Sequence, residues 1–88
     1  VLWSMNLRHL RAFAAVVRSR NVSRAAQSIG VSQPAITQAL HKLEQALEQR
    51  LFSRSAHGMQ PTAAATTFVP RVETALTHIG SGRVTMTQ

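Results

Sequence analysis

The chain has no cysteine and no tyrosine, only three acidic residues, and four aromatic side chains. Without cysteine, disulfides and thiolate-held metals are excluded as staples. The core must then come from helix packing and, in so short a chain, from a second copy of it. The three acids, Glu44, Glu48 and Glu73, form no paired carboxylates, and the four histidines lack ligand-like spacing. Acid–base catalysis and metal chemistry therefore have no evident residues, and neither an enzyme nor a cofactor is expected. Of the aromatics, Trp3, Phe13, Phe52 and Phe68, the phenylalanines are needed inside. That leaves too few exposed rings for stacking single-stranded bases. No apolar run approaches membrane-spanning length, and nothing resembles a secretory leader.

What is present is positive charge, unevenly placed. The 88 residues carry a net charge of +7, from ten basic and three acidic side chains. Arg8, Arg11, Arg18, Arg20, Arg24 and Lys42 all precede the first acid, Glu44. A polyanion would be drawn to this N-terminal half. The length fits one small domain, or the first domain of a longer protein.

The pivotal stretch is 32–43. Ile36, Leu40, Leu43 and Leu47 fall at one helical stripe. Ser32 is suited to cap the helix, and Pro34 sits in the first turn, where its missing N–H costs nothing. The opposite side presents Pro34, Gln38, His41 and Gln45, flanked by Ala35, Thr37 and Lys42. Such a face is short and amide-bearing, with no acid before Glu44, which suits lying against a partner better than facing solvent.

Around it the chain reads in order. Met5-Asn6 looks like a natural start, with 1–4 an upstream extension or a cloning remnant. Leu7, Leu10, Phe13, Ala14 and Val17 predict a first helix to about Arg18, broken at Arg20-Asn21. Ser23 is expected to cap a second over 24–29, ended by Gly30 in a left-handed conformation, with Val31 an apolar plug. Small Ala26, then Gly30, Val31 and Ile36, meet the needs of a helix-turn-helix; an ordinary helical hairpin is the alternative. Residues 51–61 suggest a short hairpin around a glycine-containing loop. Thr62 can cap a last helix to about Ile79, with Gly80 as terminator and Pro70 giving a kink or break. Ala65, Phe68, Val72, Ala75 and Ile79 form a seam at coiled-coil spacing, either for dimerisation or for packing on the first helix.

These residues resemble the N-terminal domain of LysR-type transcriptional regulators. The likeness rests on Val31-Ser32-Gln33-Pro34-Ala35-Ile36-Thr37, Leu43-Glu44, Leu51-Phe52-Ser53-Arg54, and Pro61-Thr62 with Ala64. Residues 6–13 match the opening helix of that family and 23–26 its second. The resemblance implies a mainly α fold, a winged helix-turn-helix with a three-helix core, a β-hairpin wing and a long C-terminal linker helix. The expected divisions are a DNA-binding domain over 5–61, a linker and dimerisation helix over 62–80, and a hinge over 81–88 toward a C-terminal domain lying beyond this fragment. It further implies a cytoplasmic, bacterial homodimer, or a dimer within a tetramer of the full-length protein, binding a partly palindromic promoter site. A small-molecule effector is implied only if a C-terminal domain exists. The sequence departs from the pattern at Gln38, where many relatives carry arginine, at Thr37 for serine, and at Ala65 for glycine.

The expected DNA-binding residues are Ser23, Arg24, Ser32, Gln33, Pro34, Ala35, Thr37, Gln38, His41, Lys42 and Arg54. Gln33 and Gln38 carry amides that suit the adenine edge, while Thr37 and Pro34 can touch thymine methyls. His41 and Lys42 lie nearer phosphates, as do the helix N-termini at Ser23 and Ser32 with Arg24 beside the first. Arg54 would reach backbone or minor groove; its alternative is a surface ion pair with Glu48 or Glu73. The rival functions are a basic helical dimer that binds an acidic protein partner, and unspecific nucleoid or RNA binding.

Overall fold

The computed structural model describes residues 7–80, and their side chains as far as 77. The order is α1 (Leu7–Ser19), α2 (Val22–Ile29), α3 (Gln33–Leu47), β1 (Phe52–Ser55), β2 (Gly58–Pro61) and α4 (Ala63–Gly80). This is a winged helix-turn-helix. The expectations for the start at Met5-Asn6 and for 81–88 lie outside the described residues.

α1 is the hub. Leu10, Ala12, Phe13, Ala14, Ala15 and Val16 are buried along it, and it packs on α2, α3, α4 and β2. Phe13 is fully buried, its ring 5.6 Å from that of Phe52 on β1 and 5.2 Å, edge-on, from that of Phe68 on α4. Tilted and edge-on contacts are the favoured aromatic geometries, so one side chain joins α1, the wing and α4.

The helix ends follow local chemistry, with one correction. α2 begins two residues earlier than the sequence suggested, because Asn21 rather than Ser23 is its cap: Asn21 Oδ1 accepts the Arg24 N–H at 2.9 Å. Asparagine caps as well as serine. Ser23 lies inside the first turn. The other end of α2 is as expected: Gly30 takes φ 71°, and the Val31 N–H donates to Ala26 O at 3.0 Å. α3 starts at its expected cap, Ser32 Oγ accepting the Ala35 N–H at 3.2 Å. It ends without glycine. Glu48 itself takes φ 54°, as does Arg20 at 55° after α1. Thr62 Oγ1 accepts the Ala65 N–H at 3.3 Å and so caps α4. α4 runs through Pro70 without a break and includes Gly80, which was expected just beyond it.

The wing is antiparallel, Phe52 opposite Pro61 and Ser55 opposite Gly58. Gly58, at φ 101°, presses against the α1–α2 corner, where an added Cβ would stand 2.6 Å from Arg20 O. Met59 N–H donates to that same oxygen at 3.1 Å. Only glycine permits this approach.

The stripe of α3 faces inward: Ile36, Ala39, Leu40 and Leu43 are buried, and Leu47 is half-buried. The seam of α4 is also turned inward. Ala65 and Val72 are 0% exposed and Phe68 is 7% exposed within the single chain. Packing within the domain therefore already covers all three. Ala75 is half-buried, and the side chain of Ile79 lies outside the described residues.

Candidate nucleic-acid interface

Because α3 buries Ile36, Ala39, Leu40 and Leu43, its remaining sides must face outward. Gln33, Pro34, Thr37, Gln38, His41 and Lys42 are all exposed, and Ala35 is half-exposed. Gln33, Pro34, Thr37 and Gln38 line one open, shallow surface on the first two turns. Three of these side chains can hydrogen-bond and none carries charge, so the surface can distinguish partners by donor and acceptor pattern.

Beside it a cleft of about 150 Å³ separates α3 from the wing. Thr37, His41 and Glu44 line one wall, and Arg50, Arg54 and Met59 stand around the rest. Arg54 is exposed on β1, opposite Met59. The fold thus gathers Thr37, His41 and Arg54, sequence-remote residues, about one hollow that two guanidinium groups border.

Not all expected residues join this surface. Ser23 is half-buried in the first turn of α2, while Arg24 beside it is exposed. At the N-terminus of α2, Asn21 takes one of the free N–H groups with its side chain. On the far side of α3, His9 of α1 has its pKa lowered from 6.5, first by burial and then by the nearby Lys42 and Arg8 cations. Lys42 is thus close enough to α1 for its charge to be felt at His9.

Sequence reasoning missed two participants. Asn21 was visible as a capping residue and was passed over for Ser23. Glu44 stood out only as part of the Leu43-Glu44 motif, with nothing nearby to say what it bonds: its carboxylate reaches beyond α3 to accept the N–H of Leu51 at 2.8 Å and of Phe52 at 3.4 Å. Among the described residues no group of three or more histidine or acidic side chains is placed to hold a metal, and no helix is long and apolar enough to cross a membrane.

Comparison with known proteins agrees with this geometry. Residues 7–66 match the family model described as bacterial regulatory helix-turn-helix protein, lysR family. The small neutral protease regulatory protein of Streptomyces coelicolor is 44% identical over 68 residues, covering 77% of this chain and 22% of that protein. The HTH-type transcriptional regulator BudR of Klebsiella aerogenes is 42% identical over 64 residues, 73% of this chain and 45% of its own. This chain thus spans under half the length of either relative. Among solved structures, the CbnR DBD–DNA complex superimposes with a TM-score of 0.85 at 36% identity, covering 94% of this chain and 97% of that one. The BenM DBD complex with catB site 1 DNA gives 0.84 at 30% identity, covering 94% and 92%. With its match running from α1 into α4, the chain belongs to the lysR family of bacterial helix-turn-helix regulatory proteins.

Proposed function

We propose that this chain binds double-stranded DNA sequence-specifically, as the DNA-binding part of a bacterial transcriptional regulator. The observation that carries the reading is the division of α3: an apolar stripe buried behind, and Gln33, Pro34, Thr37 and Gln38 exposed together in front. A helix so mounted fits the major groove of B-form DNA. Gln33 and Gln38 would offer amides to adenine edges, and Thr37 and Pro34 would meet thymine methyls. His41, Lys42, Arg24 and the N-termini of α2 and α3, near Ser23, Ser32 and Ala35, would hold phosphates. Arg54 on the wing would reach the backbone or minor groove alongside. Two solved relatives in complex with DNA support this use of the fold.

The DNA site is proposed to be partly palindromic, read by a homodimer whose two copies of α3 are held about one helical turn, or a multiple of it, apart. α4 would provide the contact, through Ala75, Ile79 and the half-buried Val69 and Leu76 rather than through Ala65, Phe68 and Val72. Assembly of such dimers into tetramers, an effector-sensing C-terminal domain beyond a hinge at 81–88, and a cytoplasmic site of action at the chromosome complete the proposal. The greater length of the relatives supports the further domain. The family and its named regulators favour this over an enzyme.

The test is a titration of labelled promoter fragment against random duplex at two salt concentrations. A specific reader keeps its preference for the promoter as salt rises, whereas a purely electrostatic binder loses both together. Equal loss on both duplexes would overturn the reading.

A further inference from the structure

We propose that Glu44 is a positioning residue that sets the wing at a fixed angle to α3, so that Arg54 and the outward face of α3 meet DNA as one rigid unit. This rests on the DNA-binding reading above.

Glu44 stands where α3 finishes. Its main-chain oxygen accepts the N–H of Glu48 and of Gln49, the second at 3.2 Å, which closes the helix. Its carboxylate then reaches across the 48–50 link to the N–H groups of Leu51 and Phe52. Both residues are buried, Leu51 at 0% and Phe52 at 3% exposure. Their N–H groups therefore have little access to water and need an acceptor. Pro61, opposite Phe52, has no N–H to give the Phe52 carbonyl, which accepts from Arg50 Nη2 at 3.5 Å instead. One residue thus ends the reading helix with its backbone and begins the wing with its side chain.

The wing has a second attachment. Met59 N–H and the bare Gly58 rest on Arg20 O at the α1–α2 corner. A hairpin held at one point can swing about it; held at two, its tilt is fixed. Phe52 and Arg54, two apart on β1, share the side turned to the cleft shared with Thr37 and His41. The tilt of β1 therefore decides where the Arg54 guanidinium stands relative to α3. A contact so placed in advance loses less freedom on binding.

The experiment uses the 88-residue chain in two readouts. The first is hydrogen exchange at the Leu51 and Phe52 amides without DNA: Glu44→Ala should speed exchange there at least tenfold, and Glu44→Gln, which keeps an oxygen acceptor, should restore slow exchange. The second is a double-mutant cycle on promoter binding. Arg54→Ala is expected to weaken binding about fivefold in the native background and under twofold beside Glu44→Ala, whereas the cost of Gln38→Ala should be the same in both. If Glu44→Ala does not fold, Glu44→Asp, one methylene shorter, takes its place. Equal costs of Arg54→Ala in both backgrounds, or a Glu44→Gln variant as fast-exchanging as Glu44→Ala, would overturn the proposal. Should Arg54→Ala leave native binding unchanged, the wing's part in the DNA reading falls, and exchange at Leu51 and Phe52 still decides for or against Glu44.

Discussion

α3 and α4 carry apolar stripes of the same spacing, and the first part of each is covered by the rest of the domain. In α3, Ile36, Leu40 and Leu43 go inward and free an outer face of amides and short side chains. In α4, Ala65, Phe68 and Val72 go inward too, Phe68 against the ring of Phe13. What differs is the face left over. On α3 it is polar and continuous with a cleft bordered by arginines. On α4 it mixes half-buried Val69 and Leu76 with exposed Thr66, Thr67 and Arg71. Regular apolar spacing thus announces that a side will be covered, not which surface covers it.

The sharpest way to break this comparison is to charge the α4 stripe. Val72→Lys buries an ammonium among apolar groups, so the domain is expected to unfold rather than to fall from dimer to folded monomer. Phe68→Ala, which removes a ring from the same place, should cost about 3–5 kcal/mol. Circular dichroism melts check both. A folded, monomeric Val72→Lys variant would return the stripe to an intermolecular role.

On α3 the expected effect is on recognition, not folding. Gln38→Ala should leave the melt within about 0.5 kcal/mol, as for other exposed positions. It should cost about 1–3 kcal/mol of discrimination at one position of each half-site. Competition with single-base variants of the promoter reads this, and a uniform loss on all sequences would remove Gln38 from base reading.

The C-terminal end of α3 gives a smaller and opposite change. Glu48 holds a left-handed conformation at φ 54° with a side chain that disfavours it. Glu48→Gly is expected to raise stability by about 0.5–1 kcal/mol, seen as a higher denaturant midpoint with unchanged slope.

The smallest effect concerns pH. His9 has its pKa lowered in the folded chain, by burial and then by Lys42 and Arg8, so the unfolded chain binds that proton more readily. Stability is then complete above the ordinary histidine value of 6.5 and declines as pH falls through it toward the lowered folded value. Urea melts between pH 7.5 and 5.5 should show this decline, and His9→Gln should flatten it. A slope of the other sign would mean that the folded chain favours the His9 imidazolium, against both its burial and the two cations beside it.

Much of the fold was legible because its signals are local. Ser32, Gly30 and Thr62 act on N–H groups or backbone angles within three residues of themselves, and each sits at the helix end expected of it. The α2 cap was misread although Asn21 is as good a cap as Ser23, since two capping residues two apart leave the start ambiguous until Val22 is seen to be helical. The first helix does break at Arg20 as expected, and what the sequence did not announce is that Arg20 and Glu48, neither of them glycine, take positive φ at the ends of α1 and α3. Pro34, Thr37 and Gln38 were readable from periodicity as outward, Gln33 joined them only as an expected DNA contact, and the use of all four on DNA remains a proposal tied to the binding test above.

By itself the sequence determined the four helices, the hairpin and the side of α3 that faces outward, since each follows from spacing or from chemistry within a turn, while the family came from the resemblance of its motifs. Tertiary structure alone decided that Phe13 would claim Phe68, that Gly58 would lie on Arg20 O, and that Glu44 would reach Leu51 and Phe52. Those contacts join segments whose separation is set by how whole helices cross, a geometry to which no short stretch of sequence has access.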